Sequence, residues 1–276
     1  MATVKLNVME LMQIVKYAAS DVSVALSSKL MLIGMLGWQD IHQRYRRSSL
    51  GPFWITISML VMISTIGLVF GQIFNSPMKE YLPFLAVGTI VWTYMSTLMS
   101  EGCICLIGAD SIIKQLNLPF FVHIARMIWR NFIILGHNIV IVPLVFIAIG
   151  KPLSFVCLLS IPGLFLVSLN LAWIALILAV ICARYRDFPQ IIASILQVMF
   201  YLTPIIWMPK SVPKRADLYL LDSNPFYHLL EIVREPMLGV FPSMLSWNVS
   251  IILACVGWLV ALVVLGSYRK RIAYWL

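Results

Sequence analysis

Residues 155–183 read FVCLLSIPGLFLVSLNLAWIALILAVICA, 29 positions without one charged side chain. A helix needs about 20 mainly apolar residues to cross the ~30 Å hydrocarbon core of a bilayer. This stretch therefore spans a membrane, with length left over to tilt or to protrude on one side. Five other apolar stretches of spanning length surround it: Phe53–Phe74, Leu82–Ser100 (extending toward Ile107), Asn131–Ile149, Phe188–Trp207 and Val249–Gly266. The expectation is an all-α integral membrane protein with six transmembrane helices.

The whole chain reads the same way. Of 276 residues, 61% are apolar and 11% charged, with a mean hydropathy of +0.94. A soluble domain is about 45–50% apolar and roughly 25% charged, so one soluble core of this size would not hide so much hydrocarbon. The length suits a single membrane domain: residues 1–52 as an amphipathic segment, 53–266 as the six-helix unit and 267–276 as a tail. No uninterrupted apolar run with a small-residue cleavage site occupies the first 30 residues, which carry Glu10, Asp21 and Lys29, so no cleaved signal peptide is expected.

The net charge of +9 points to lipid headgroups and topology, not to nucleic acid, because Lys and Arg sit in the gaps between spans. With six spans both termini share a side. That side carries 14 of the 20 basic residues and the other side 6, which places both termini in the cytoplasm and the chain in the inner membrane as a multi-pass protein. The five cysteines, Cys103, Cys105, Cys157, Cys182 and Cys255, lie in or beside apolar stretches without metal-ligand spacing, and read as small core hydrophobes.

Two segments outside the spans carry helical patterns. In residues 22–47, Leu30, Ile33, Gly37 and Ile41 recur at helical spacing against Gln39, Asp40, Gln43, Arg44 and Arg47, an amphipathic helix in the cytoplasmic interface. Gly51-Pro52 punctuates its join to the first span. Between the fifth and sixth spans, residues 208–248 are too apolar for a solvated linker. Asn224-Pro225 is a cap followed by proline at the first helical position, and Phe226, Leu229, Leu230 and Val233 mark one face of a helix ending near Pro236. Short re-entrant helices are expected here, dipping back among the spans.

Catalytic chemistry is missing from the sequence. Gly150-Lys151 lacks the flanking glycine and the Ser/Thr of a phosphate-binding loop, no paired carboxylates occur in a span, and no Ser/His/Asp set or metal site stands out. The chain is expected to be no enzyme and to hold no cofactor or metal. Polar residues inside spans are the functional candidates. Glu101 either lines a hydrophilic conduit or pairs with a nearby arginine. His137, Asn138 and Asn170 read as interhelical hydrogen-bonding groups. Trp54 and Trp207 fit interface anchors, while Trp92, Tyr94 and Tyr201 are either anchors or a lining on which sugar rings stack.

Several of these stretches together resemble the transmembrane subunits of type-2 ABC exporters of polysaccharides and teichoic acids. Arg44-Tyr45-Arg46-Arg47-Ser48-Ser49-Leu50-Gly51-Pro52-Phe53-Trp54 is similar to that family's basic-Tyr, Ser-x-Leu-Gly-x-x-Trp lead into the first span. Ile112-Ile113-Lys114-Gln115-Leu116-Asn117-Leu118-Pro119 resembles its Leu-Ile-Lys…Phe-Pro segment, departing at Leu118 and, just upstream, at Asp110, where Phe and Asn are more usual. Tyr185-Arg186-Asp187 with Thr203-Pro204-Ile205, and Asn224-Pro225 followed by Arg234, fit two further motifs.

The resemblance implies a homodimer joined to two cytoplasmic ATPase subunits, which bind the ATP and Mg, and a polyprenyl-diphosphate-linked glycan as cargo moved outward. O antigen leads, with capsule, teichoic acid, a drug or a small lipid as alternatives. Within that frame the loop Ala109–Pro119, with Asp110, Lys114, Leu116 and Pro119, is the candidate coupling element. Arg44, Arg46 and Arg47 either capture the diphosphate or anchor the chain at the lipid surface. Asn224, Pro225 and Arg234 form the candidate outer gate, and Arg186-Asp187 a structural ion pair or helix cap, with contact to the ATPase subunit as the alternative. A proton-coupled carrier using Glu101 and His137, and a membrane-embedded glycan-modifying enzyme, are the rivals from other classes.

Overall fold

The computed structural model describes residues 8–46, 48, 50–51, 53–74, 76–152, 154–209 and 221–276. Eleven α-helices follow in order among them: α1 (Val8–Ser28), α2 (Leu30–Tyr45), α3 (Phe53–Ile73), α4 (Met78–Cys105), α5 (Asp110–Gln115), α6 (Phe120–Ile139), α7 (Ile141–Ile149), α8 (Ser160–Arg184), α9 (Phe188–Leu202), α10 (Pro225–Leu238) and α11 (Met244–Trp275). No strand occurs among the described residues. With most of the chain in long apolar helices, the protein is an all-α integral membrane protein, because only a helix satisfies its backbone groups internally in hydrocarbon.

Five helical stretches are long and apolar enough to cross a membrane: Phe53–Ile73, Met78–Cys105, Phe120–Ile149, Phe155–Arg184 and Met244–Trp275. The stretch expected as a fifth span, Phe188–Trp207, is helical only over the 15 residues of α9. The cause is local. Proline disfavours helix in the residue before it, and Thr203, ahead of Pro204, is extended at φ −84°, ψ 134°.

The bundle is built around α4, of whose spanning window 78% is buried, against 17% for α3. α4 packs on α3, α6, α8, α9 and α10, while α8 adds α11 and α1 reaches α11 and α6. Close approach sets some of this geometry. A Cβ at Gly163 in α8 would stand 2.3 Å from the Ile232 carbonyl oxygen of α10, and one at Gly37 in α2 would stand 2.8 Å from Trp129 of α6. Only glycine fits at such contacts.

Further expectations need correction. The N-terminal amphipathic segment is two helices, α1 and α2, bent by 76° at Lys29, and Leu30, assigned to the apolar face, is 58% exposed, whereas Ile33, Gly37 and Ile41 are buried. The third span starts not at Asn131 but at Phe120, so Arg126 and Arg130 belong to the helix and not to a loop. Residues 267–276 continue α11, which runs on to Trp275. Between α9 and α11 the described residues hold α10, the helix expected to start at Asn224-Pro225 and to end near Pro236. It lies against α4, α8 and α11. Residues 210–220 of that connection lie outside the described residues.

Candidate functional site

The two ends of the bundle each carry a built polar assembly. One end holds α5 and α2, the other α10.

At the α5 end, Asp40 and Arg44 lie one turn apart on α2 and face α4 and α6. Asp40 accepts both forks of Arg126 from α6, the Nε bond at 2.8 Å, and a bond from Arg130 at 3.2 Å. Arg130 also reaches Glu101 of α4 at 2.6 Å. Glu101 accepts from Asn131 as well, and from Arg44 at 3.3 Å. Three helices are thereby stitched by alternating charges. Of the two readings of Glu101, pairing with arginine is what the geometry shows, and the same side chain also lines a hollow of about 310 Å³ with Asp40, Arg44, His123, Arg126 and Arg130.

Asp40, His123, Arg126 and Arg130 were not singled out from the sequence. The signal was present: 123, 126 and 130 fall on one helical face at i, i+3 and i+7. It was hidden because a search for uninterrupted apolar residues stops at each charge and so started the span after Arg130.

The expected arginine cluster is split. Arg44 belongs to the ionic network and also lines a second hollow of about 270 Å³ with Thr93, Tyr94, Thr97, Asn131 and Asn138. Arg46 faces a third hollow of about 620 Å³ with Trp38, His42, Tyr45, Gly51 and His137. Arg47 lies outside the described residues. His137 does not bridge helices through a hydrogen bond: its Nδ1 meets the Ile133 carbonyl oxygen one turn back, at 2.8 Å, and its ring packs edge-on against Phe53. Asn138 is buried, its Oδ1 without a partner among the described residues. Asn170 does join two helices, donating to the Ser250 carbonyl oxygen at 3.0 Å.

Between α4 and α6 the chain forms α5, none of whose side chains is buried. Lys114 pairs with Asp110 at 2.8 Å within the helix, Leu116 is exposed, and Pro119 sets the first turn of α6. The start of α6 is held by Asp21 of α1, which accepts from the Phe121 N–H at 3.0 Å and approaches Arg269 of α11 at 3.6 Å. A carboxylate suits a helix N-terminus. Burial pushes the Asp21 carboxyl above its ordinary pKa, while the Phe121 N–H and Arg269 act in the opposite direction. Arg186 and Asp187 are not seen as a pair: Arg186 donates to the Trp275 carbonyl oxygen at 3.4 Å, and Asp187 sits at the cap of α9.

The α10 end brings together motifs 20 residues apart in sequence. Asn224 caps α10, its Oδ1 accepting from the Phe226 N–H at 3.0 Å, while its Nδ2 donates to the Thr203 hydroxyl at 3.0 Å. Pro225 takes the first helical position. Arg234, 1% exposed, donates to the Pro204 carbonyl oxygen, pairs with Glu231 and lies 4.1 Å from the centre of the Phe84 ring. Tyr81 donates to the Ile206 carbonyl oxygen at 2.7 Å. The irregular backbone after α9 thus finds partners for its carbonyl groups where no helix or water supplies them.

Of the aromatics, Trp92 is buried between Phe200 and Phe226, so its ring has no free face in this chain. Tyr94 is buried with its hydroxyl on Ser168 at 2.8 Å, and Tyr201 is exposed on α9.

The chain belongs to the ABC-2 type transporter family, whose model matches residues 31–238. It is similar to the O-antigen export system permease protein RfbA of Klebsiella pneumoniae, 21% identical over 234 residues, covering 84% of this chain and 88% of that protein. The protein of the same name from Myxococcus xanthus is 23% identical over 197 residues, 70% of this chain and 74% of the relative. The polysialic acid transport protein KpsM of Escherichia coli is 23% identical over 238 residues, 84% and 90% of the two chains.

Proposed function

We propose that this chain is the membrane subunit of an ATP-driven exporter that carries a lipid-linked polysaccharide, O antigen in the first place, outward across the inner membrane. The observation that carries this reading is the near end-to-end likeness to export permeases within one transporter family. Two copies form the channel and two cytoplasmic ATPase subunits supply ATP and Mg. Both termini face the cytoplasm, with α9 and the extended segment after it counted as the sixth crossing, α5 on that side and α10 on the outer side.

Residues take roles in this frame. The exposed α5, with Asp110, Lys114, Leu116 and Pro119, receives the push of the ATPase and passes it to α4 and α6, between which it is strung. Arg46, in a hollow that also presents Trp38, His42 and His137, meets the diphosphate of the cargo, since guanidinium forks suit phosphate oxygens. Asn224, Pro225 and Arg234 keep the outer gate helix in place. The faces of α3 and α9 support the dimer: both helices flank α4, and they leave Leu60, Val61, Leu68, Ile195, Val198 and Tyr201 exposed. Tyr201 would then line the passage between copies.

The polysialic acid transport relative favours one second reading, export of a capsular polysaccharide by the same route. Deleting the gene and assaying where the lipid-linked glycan collects tests the proposal. It should accumulate on the cytoplasmic leaflet and be released to the outer face on complementation. Normal surface glycan of every kind in the deletion strain would remove the reading, and loss of capsule alone would select the second.

A further inference from the structure

The hollow at the α5 end has a charge surplus that its structural role does not use. Arg44, Arg126 and Arg130 line it against the carboxylates of Asp40 and Glu101, three positive groups facing two negative ones. Two nitrogens of side chains that line it are unspent. His123 is 5% exposed, and its Nε2 is buried with no hydrogen-bond partner among the described residues. The Nε of Arg130 is buried and unpartnered in the same way. A buried polar group left unmade costs about 1–3 kcal/mol, so two on one cavity wall mark a place built to receive something. Room is available: the hollow measures about 310 Å³, and a Cβ at Gly108, on its wall at the turn into α5, would meet nothing within 4 Å.

We propose that this hollow binds one phosphate group, with Arg130 Nε and His123 Nε2–H donating to its oxygens and Arg44 closing over it. Phosphate fits the observations better than a cation, because the walls carry a positive excess, and better than an apolar ligand, because three guanidiniums and an imidazole from two helices line the hollow. Guanidinium groups match phosphate oxygens in geometry and charge. The bound group leaves the Arg126–Asp40 fork intact. The phosphate of an anionic lipid headgroup and free inorganic phosphate share this chemistry. The site stands apart from the Arg46 hollow assigned to the cargo, and it does not depend on what the exporter carries.

The test uses the full-length chain without ATPase subunits, so that no nucleotide site contributes. In phosphatidylcholine nanodiscs, calorimetric titration with inorganic phosphate should show one saturable site per chain. His123→Leu and Arg130→Lys should each weaken it about tenfold or more, the loss expected for a hydrogen bond to a charged group. His123→Leu touches no ion pair, so it decides if Arg130→Lys fails to fold. Native mass spectrometry of chain purified with phosphatidylglycerol separates the sources. Retained phosphatidylglycerol that inorganic phosphate displaces identifies a headgroup site, and phosphate binding without lipid retention identifies free phosphate. Neither ligand binding to the wild-type chain, or binding unchanged in the folded variants, would overturn the proposal and leave the two nitrogens to ordered water.

Discussion

The two ends of this bundle both rely on arginine, and they use it in opposite ways. At the α10 end Arg234 is sealed, with one carboxylate, one carbonyl oxygen and one aromatic ring as its fixed surroundings. At the α5 end Arg44, Arg126 and Arg130 share two carboxylates among three helices, beside open hollows and with part of each side chain in contact with solvent. A sealed ion pair has one arrangement, because any other leaves a buried charge uncompensated. A shared network with space around it has several of similar energy. The α10 end is thus a fixed clamp and the α5 end a more open joint between three helices.

The clamp gives the largest effect. Arg234→Ala strands Glu231 and the Pro204 carbonyl group and should destabilise the protein by about 3–5 kcal/mol, read as loss of folded protein in detergent. Arg234→Lys should fail nearly as badly, since an ammonium cannot serve the carboxylate and the carbonyl oxygen in one planar fork. A mild Arg234 phenotype would break the comparison. Glu101→Gln comes next. It removes one charge from the joint, but Arg130 keeps Asp40, so a loss of about 1–3 kcal/mol is expected, measured as a fall in thermal midpoint. Asn224→Ala, which deletes a helix cap and the bond to Thr203, should cost about 0.5–2 kcal/mol. Smallest in stability is Lys114→Glu combined with Leu116→Glu on the exposed α5. The thermal midpoint should stay put while ATP hydrolysis continues and export stops. Export at the normal rate in that variant would take the coupling role away from α5.

Much of this organisation was legible in the sequence, and the failures share a cause. Apolar length located Phe53–Ile73, Met78–Cys105 and Phe155–Arg184 to within a few residues, because the bilayer imposes one requirement on all of them. It misjudged Phe188–Trp207, where hydropathy is blind to Pro204 and the helix stops at Leu202. It missed α1, which Glu10, Lys16 and Asp21 interrupt, although Asp21 proves to be the cap of α6. The motifs Thr203-Pro204-Ile205 and Asn224-Pro225…Arg234 were visible as separate pieces. That Arg234 binds the Pro204 carbonyl group, and Asn224 the Thr203 hydroxyl, is a long-range pairing that periodicity does not carry. The joint was the least visible part, since His123, Arg126 and Arg130 sit within a span and only their spacing announces a shared face.

Reconstitution tests the central claim most directly. Vesicles holding this chain, with or without its ATPase subunits, would be loaded with lipid-linked glycan, and glycan on the opposite leaflet would be measured by accessibility to an added glycosidase. The account predicts transfer only when the ATPase subunits and hydrolysable ATP are both present. Transfer by this chain alone, or transfer indifferent to ATP, would contradict it.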